Sequence, residues 1–453
     1  MAADLPTGST GLLSNGAGVP ANGNAAYLEN GDGTTMTTGL SADEIAQYDR
    51  QLRLWGVEAQ NRIRSANILL VSLRALGTEI AKNLTLAGIS SLTIIDDEPV
   101  TEENLGTQYF VREEDVGRPR AEAAIPRIQD LNPRVLVTSG GSLAALLQQD
   151  QTFYAPFSCV IACDHDFPTL STLNTTARFA AVPFYAAAVH GFHGFLFADL
   201  VTHDFVLERE RSNVATQLGP ERGSATRSVV SVTAKRERGG GRNMEVVQKR
   251  EIYCPLLLAN SSPLPADTLA SKRKLRAVPA LLPCLRALFD FQRTFARLPS
   301  TDSAPDLAVF TQLATGKAKE LQLPAETLQA AFLRSFMQSV GAEIVPTAAF
   351  VGGRLAEDVI NVLGKREQPV QNLALFDGEA LEGRVYCLFS PPPEVVMVGG
   401  LAGLGGGGEA AADCWLAGAM GDAGAVGDGL VSGVVDGVAG GAGPRESEAI
   451  VLD

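Results

Sequence analysis

The segment after the first predicted strand is where this chain could perform phosphate chemistry. It runs Val71-Ser72-Leu73-Arg74-Ala75-Leu76-Gly77, in the place where a nucleotide-binding turn carries the pattern G-x-G-x-x-G. That pattern needs glycine at its first two positions, so that the chain turns tightly and the backbone approaches phosphate closely. Ser72 and Arg74 stand there instead, and only Gly77, which serves helix-to-strand packing, remains. The turn therefore predicts a fold that has been kept while its own phosphate site has been lost.

Three charged residues close to this turn in the sequence are further candidates for nucleotide chemistry. Asp96 ends the second predicted strand, where an acidic residue would bind ribose hydroxyls, although one carboxylate alone carries little weight. Arg50 and Arg53 precede the first strand. They fit an exposed helix with surface ion pairs, and they fit equally well a guanidinium group offered to a phosphate outside this chain. The pattern alone leaves both interpretations open.

The cysteines lack the sequence surroundings of a nucleophile or a metal ligand. A reactive thiol needs neighbouring cations or a helix N-terminus to lower its pKa, and no C-x-x-C pair occurs. His190 and His193 could bind a metal, but no third ligand lies nearby in the sequence. We therefore expect no catalytic residue and no metal on this chain, and free thiols in a reducing compartment. The six cysteines are Cys159, Cys163, Cys254, Cys284, Cys387 and Cys414.

Charge and composition point to protein partners. The net charge of -14 opposes a general affinity for nucleic acid or anionic membranes, because both require a positive field. No run of about 18 apolar residues predicts a membrane span, and the first residues lack the basic and apolar regions of a secretory signal. We expect a protein of the nucleus and also of the cytoplasm.

The elements around the turn predict an α/β fold. Short continuous apolar runs such as 68–71 are typical of buried parallel strands, and Leu76, Ile80 and Leu84 mark the buried face of a helix between two of them. The same alternation of strand and helix continues to about residue 187. It predicts a doubly wound, Rossmann-like and mostly parallel sheet with helices on both faces, a helix-rich insertion and disordered termini.

The order of these elements and the changes in composition predict six segments. A disordered leader (1–40) precedes the first part of the Rossmann-like domain (41–210). A flexible linker (211–245), rich in Gly, Ser and mixed charge, leads to the helix-rich insertion (246–344). The sheet is then completed by 345–392, and a Gly/Ala-rich tail (393–453) follows. The basic part of the linker, 235–242, is compatible with a solvated connection or with a nuclear-import signal.

Several motifs, in the same order along the chain, resemble the E1 superfamily of enzymes that activate ubiquitin-like proteins, whose adenylation domain has the ThiF/MoeB-like fold. Within that superfamily, 190–200 and Tyr253-Cys254-Pro255 are most similar to the smaller, non-catalytic subunits of SUMO-activating enzymes. The motifs cover about 41–210 and 345–390. They are 47–56, 77–88, Val116-Gly117-Arg118-Pro119-Arg120-Ala121-Glu122, Leu131-Asn132-Pro133, Val351-Gly352-Gly353 and Leu375-Phe376-Asp377-Gly378.

The resemblance implies a division of labour between two chains. A catalytic large subunit binds Mg-ATP, adenylates the C-terminus of SUMO, forms the thioester on its own cysteine and serves a downstream E2. The smaller subunit binds no cofactor alone and lends an arginine to that Mg-ATP site in trans, at the position of Arg50 here. Thr107 and Arg120 depart from the arginine and lysine of active subunits. Asp164 matches the magnesium-binding aspartate of the family, and we interpret it as a retained structural residue.

Two other interpretations remain. The regulatory subunit of the NEDD8-activating enzyme shares the Tyr48-Asp49-Arg50-Gln51 segment, but it carries a larger helical insertion than 210–345 could hold. A stand-alone enzyme that binds NAD or ATP belongs to a different class, and side chains at Ser72 and Arg74 oppose it because they fill space that the phosphates need.

Overall fold

A computed structural model describes residues 27–29, 35–37, 39–236 and 243–389. The predicted tail (393–453) and most of the predicted leader therefore lie outside the described residues, as do 237–242 of the basic segment. The chain divides into two compact units, Met1–Asn61 and Arg62–Asp453. Each unit is described by itself.

Fourteen strands and fourteen α-helices are described in these residues. The strands are β1 (Tyr27–Glu29), β2 (Thr35–Thr37), β3 (Asn67–Val71), β4 (Ser91–Ile95), β5 (Leu136–Ser139), β6 (Cys159–Cys163), β7 (Phe184–His190), β8 (His193–Asp199), β9 (Thr202–Glu210), β10 (Gly219–Pro220), β11 (Arg227–Arg236), β12 (Asn243–Ile252), β13 (Leu373–Asp377) and β14 (Glu382–Tyr386). The helices are α1 (Ala42–Ile63), α2 (Ala75–Ala87), α3 (Glu102–Leu105), α4 (Arg120–Gln129), α5 (Leu143–Leu146), α6 (Gln151–Tyr154), α7 (Phe167–Phe179), α8 (Leu256–Ser261), α9 (Ala266–Leu269), α10 (Lys272–Arg276), α11 (Leu281–Phe295), α12 (Ala304–Glu320), α13 (Ala330–Ser339) and α14 (Val345–Gly364).

The first unit contains the short β1–β2 pair and most of α1. The antiparallel pairing of β1 with β2 means that part of the leader expected to be disordered forms strands. A capping box begins α1: the Ser41 hydroxyl accepts from the Glu44 amide at 3.2 Å, and the Glu44 carboxylate accepts from the Ser41 amide at 2.8 Å. Non-helical backbone angles at Tyr48 and Gly56 interrupt α1. Residues 49–55 therefore form a separate helical stretch between two breaks.

The second unit is built on an eight-stranded sheet in the order β14-β13-β8-β7-β6-β3-β4-β5. Strands β7, β6, β3, β4 and β5 run parallel, and β8, β13 and β14 add three antiparallel pairings at the other end. The last two strands come from the end of the described chain, so one sheet is completed from both ends of the sequence. The predicted doubly wound α/β fold is confirmed.

Helices cover both faces of this sheet because its central strands carry apolar residues on both sides. One face packs with α7 and α11, and Leu69, Val160 and Phe184 belong to that core. The alternate residues face α14, as shown by the Tyr185 hydroxyl, which donates to the Asp358 carboxylate at 2.7 Å. Helix α14 also packs along α2.

The segment 211–245, expected to be a flexible linker, instead contributes to a second sheet. This four-stranded antiparallel sheet has the order β10-β11-β12-β9. Alternate residues of β12 are buried, and they include Glu245, Lys249 and Glu251. These charges are paired, with Arg209, Glu221 and Arg227 respectively. The prediction of a flexible linker was wrong. Strands are recognised in a sequence by alternating apolar residues, and this sheet buries charged pairs at several of those positions.

The predicted helix-rich insertion (246–344) contains α8 to α13 after the end of β12. Its helices α11 to α13 bury apolar residues such as Leu285, Phe310 and Phe336 in the same core as α7. The insertion therefore thickens one face of the main sheet. Among the described residues, no helix combines the length and apolarity that crossing a bilayer would require.

We predict opposite effects on stability for alanine at two adjacent glycines of α14. A Cβ at Gly352 would lie 2.9 Å from the Glu79 Cβ of α2, whereas a Cβ at Gly353 would meet no atom within 4 Å. Gly352→Ala should lower the free energy of unfolding by about 1–3 kcal/mol through overpacking. Gly353→Ala should raise it by about 0.5–1 kcal/mol through helix propensity. Denaturant titration of both variants checks this, and equal changes in the two would contradict the proposed α2–α14 packing.

Candidate functional site

A crevice lies at the carboxyl ends of β3 and β6, where the order of the parallel strands reverses. Ligands of doubly wound folds bind at such a switch point. Arg74 follows β3 and Asp164 follows β6, and both line a cavity of about 170 Å³ together with Val189, His190 and Gly341. Small-molecule sites usually measure about 300–1,000 Å³. The crevice is in the place of a nucleotide site, but it is too small for a nucleotide.

The turn after β3 contains a left-handed residue and lies close against α2, although it lacks the first two glycines of a phosphate-binding turn. Ser72 has a φ of 75°, a left-handed conformation that glycine adopts more easily. A Cβ at Gly77 would lie 2.2 Å from the Ser72 carbonyl oxygen, so the close approach of α2 to the turn requires glycine there. The packing role predicted for Gly77 is therefore confirmed, while Ser72 and Arg74 place side chains where two glycines would leave space.

The carboxylate of Asp96 is bound by donors of its own chain. One oxygen accepts from the Leu73 amide and from the Arg120 guanidinium, both at 2.7 Å, and the other accepts from the Glu98 amide at 3.2 Å. The Asp96 and Arg120 side chains are only 3% and 5% exposed. Arg120 also donates to the Glu98 carboxylate at 3.1 Å. This geometry gives Asp96 a structural role, and it does not support the ribose contact that the sequence suggested.

A second carboxylate, that of Glu343, lies at the N-terminus of α2. One of its oxygens pairs with the Arg74 guanidinium. The other accepts from the Ala75 amide at 3.4 Å and from the Thr107 hydroxyl at 3.2 Å. A helix N-terminus with an adjacent arginine is a favourable place for a phosphate, and here it holds a side-chain carboxylate. Sequence reasoning missed Glu343 because it is 268 residues from Ala75 in the chain.

The tip of the β7–β8 hairpin positions the segment that carries Glu343. The Gly191 amide donates to the Ala342 carbonyl at 2.9 Å, and the Gly341 amide donates to Nδ1 of His190 at 3.2 Å. Burial, with smaller contributions from His193 and Arg74, lowers the pKa of His190 to about 4. His190 is therefore neutral at pH 7, as an accepting Nδ1 requires. The histidines of the His190-Gly191-Phe192-His193 motif act in packing and positioning.

Asp164, which resembles a magnesium ligand in sequence, is held mainly by backbone contacts. Its Oδ1 accepts from the Val189 amide at 3.1 Å, and its buried Oδ2 has no hydrogen-bond partner in the described structure. Burial raises the pKa of Asp164 to about 7; Arg74 opposes this shift and Glu343 adds to it. Without a metal cation beside it, the carboxyl group of Asp164 therefore takes up a proton near neutral pH. Within the described ranges, no group of three or more His, Cys, Asp or Glu is placed to bind a metal.

Taken together, these residues do not fit Mg-ATP on this chain. Arg120 already binds Asp96, the carboxylate that would contact the ribose. The Glu343 carboxylate occupies the place of a phosphate at the N-terminus of α2. The cavity that is left beside Arg74 is also small.

Arg50 and Arg53 differ in their surroundings within the first unit. Arg53 pairs with Asp49 at 3.0 Å, one helical turn before it. Arg50 is exposed, and its side chain makes no hydrogen bond or ion pair with any residue that the structure describes. Leu54, one turn after Arg50 on the same helical stretch, is 77% exposed. An unpaired guanidinium and an exposed apolar side chain therefore share one face.

Five cysteines fall within the described residues, and none of the five is placed to form a thiolate easily. Cys159, Cys163, Cys254 and Cys284 are buried, and burial raises the pKa of each thiol. Burial also raises the pKa of Cys387, which is partly exposed. The nucleophilic form of a cysteine is the thiolate, so these five thiols are poor nucleophiles. Cys414 lies outside the described residues.

We predict that the Asp96–Arg120 pair is a structural ion pair whose partners depend on each other. Arg120→Met should lower the free energy of unfolding by about 3–5 kcal/mol, because it leaves a buried carboxylate without its counter-charge. Asp96→Asn/Arg120→Met should recover part of that loss, because no unpaired charge remains. Denaturant titrations of the wild type, of Asp96→Asn, of Arg120→Met and of the double variant provide the test. A double variant as unstable as the two single changes added together would contradict the coupling.

Comparisons with known proteins agree with this architecture. The ThiF family profile matches residues 48–394. The DNA damage tolerance protein RHC31 of Saccharomyces cerevisiae is 36% identical over 349 residues, which are 76% of this chain and 96% of that protein. The SUMO-activating enzyme subunit 1 of Homo sapiens is 35% identical over 355 residues, 77% of this chain and 96% of that protein. The protein of the same name in Xenopus laevis is 33% identical over 359 residues, with 78% and 97% covered.

The family profile covers well over half of the chain, and the similar proteins are matched along almost their whole length. The match includes both the parallel half of the sheet and the strands that complete it. The chain therefore belongs to the ThiF family.

Proposed function

We propose that this chain is the smaller, non-catalytic subunit of a heterodimeric SUMO-activating enzyme. The observation that carries the proposal is its similarity to proteins named SUMO-activating enzyme subunit 1, which it matches over 96% of their length in the human case. The name of these relatives denotes one subunit of an enzyme that has more than one subunit. In the proposed complex, the chain pairs with a catalytic large subunit, and SUMO and a downstream E2 bind the complex.

The crevice at β3 and β6 supports a non-catalytic role for this chain. An adenylating enzyme must bind the triphosphate of ATP and its magnesium ion in such a crevice. Here Glu343 and Arg120 neutralise the charges of the crevice from within the chain. Mg-ATP is accordingly placed in the large subunit in this proposal, and the thioester forms on a cysteine of that subunit.

The unpaired Arg50 supports a contribution to the partner's site. A guanidinium group is charged at every physiological pH and binds phosphate oxygens with a forked set of donors. Ordering Arg50 at a partner's triphosphate would break no ion pair with the described residues, whereas ordering Arg53 would break its pair with Asp49. The exposed Leu54 on the same face fits contact with another protein. We place the complex in the nucleus and also in the cytoplasm, where its acidic surface would favour protein partners.

We predict that Arg50→Ala slows adenylation of SUMO by the reconstituted heterodimer by about a hundredfold, the usual cost of losing one donor to a transition-state charge. Arg53→Ala is the matched control, because it removes the same group three residues away. It should change the rate by less than about twofold, since exposed ion pairs contribute little. ATP–pyrophosphate exchange, dependent on SUMO, measures both.

Equal rates for the Arg50→Ala and wild-type complexes would contradict the role of Arg50 in trans. Assembly must be measured alongside by size-exclusion chromatography, so that a lost interface is distinguished from a lost contact with ATP. Adenylation of SUMO by this chain alone would contradict the whole proposal.

We predict that Cys387→Ser/Cys414→Ser leaves the yield of SUMO thioester unchanged. Cys387 is the most exposed of the described cysteines, and its pKa is raised by burial. Cys414 completes the set because the structure does not describe it. Thioester is measured on non-reducing gels with saturating Mg-ATP. A loss of thioester in the variant, together with a SUMO thioester on this chain in the wild type, would instead place the nucleophile here.

A further inference from the structure

The N-terminus of α2 keeps the donors of a phosphate site although the turn has lost two glycines. The Ala75 amide, the Arg74 guanidinium and the Thr107 hydroxyl converge on one carboxylate. A carboxylate offers oxygens to these donors much as one edge of a phosphate would. The same donors would therefore face an oxyanion if the carboxylate were absent.

The carboxylate is held in place by a built arrangement. The Glu343 side chain is only 9% exposed. Its backbone segment is fixed by the Gly191 amide and by the Nδ1 atom of His190. A Cβ at Gly191 would lie 2.7 Å from the Ser339 Cβ, so the hairpin tip fits closely against this segment. Glu343 thus has little freedom to leave the helix N-terminus.

The crevice beside this arrangement is not filled. The cavity of about 170 Å³ reaches Arg74 and Asp164. The Oδ2 atom of Asp164 is buried there without a hydrogen-bond partner in the described structure. This space is large enough for a small anion and its water, although it is too small for a nucleotide.

We infer that Glu343 is the residue that excludes phosphate-type oxyanions from this crevice, by placing its own carboxylate on their donors. The alternative is that the side chains of Ser72 and Arg74 exclude the anion by filling the turn. The two explanations differ in their consequence. If Glu343 excludes the anion, its removal creates an oxyanion site; if the turn excludes it, removal of Glu343 creates none.

The test is calorimetric titration of the full-length chain with pyrophosphate at fixed pH and ionic strength. Glu343→Ala should bind one equivalent at least about tenfold more tightly than the wild type, because the guanidinium and the helix N-terminus are released together. Arg74→Ala/Glu343→Ala should lose this gain. Glu382→Ala is the matched control: it also frees an arginine, Arg384, but on the edge strand β14. It should bind no more tightly than the wild type.

The inference is overturned if folded Glu343→Ala binds pyrophosphate no more tightly than the wild type, or if the double variant binds as tightly as the single one. Far-UV circular dichroism and a cooperative melt establish folding. If Glu343→Ala does not fold, Glu343→Ser decides by the same comparison, since its side chain is too short to reach the donors. None of these titrations contains the large subunit, so their failure would leave the proposed role of Arg50 standing.

Discussion

The placement of the Glu343 carboxylate at the N-terminus of α2 is the interaction on which the character of this molecule depends. A doubly wound sheet necessarily has a crevice where its strand order reverses, and helix N-termini direct unpaired amides into it. Those donors must be satisfied by a ligand, by water or by the chain itself. The Glu343 carboxylate accepts from the N-terminus of α2 and pairs with Arg74. The Arg120 guanidinium donates to the Asp96 carboxylate. These groups are therefore satisfied from within the chain, although a cavity of about 170 Å³ remains beside Arg74.

Features that looked like remnants of a catalytic site have positional roles in this arrangement. The hairpin tip at His190 and Gly191 forms hydrogen bonds with the loop segment that precedes Glu343. Gly352 lets α14 approach α2, which fixes the two helices that flank this segment. These motif residues hold the walls of the crevice together, and the presence of such motifs alone does not show that a ligand binds there.

The sequence was informative where apolar periodicity and local turns decide the structure. The strands β3, β4 and β6, the helix α2 and the packing role of Gly77 could all be predicted from neighbouring residues. Two features could not. The β9–β12 sheet buries charged pairs such as Lys249 with Glu221, so its pattern resembles that of a solvated linker. The Glu343 contacts join residues 268 positions apart, and no local pattern indicates that pairing.

The Glu343 contacts at the N-terminus of α2 and the Arg120–Asp96 pair are separate interactions, and their removal would have different consequences. Removing Glu343 would expose donors that suit a small oxyanion, but the Asp96 carboxylate would still be bound by Arg120 and by the Leu73 amide. The fork of Arg120 spans Asp96 and Glu98, which a single ammonium group could not do with the same fixed geometry. An anion site could therefore reappear through one substitution, whereas a nucleotide site could not. The Glu343 and Arg120 contacts share no residue, so removing one carboxylate or guanidinium would leave the other contact in place.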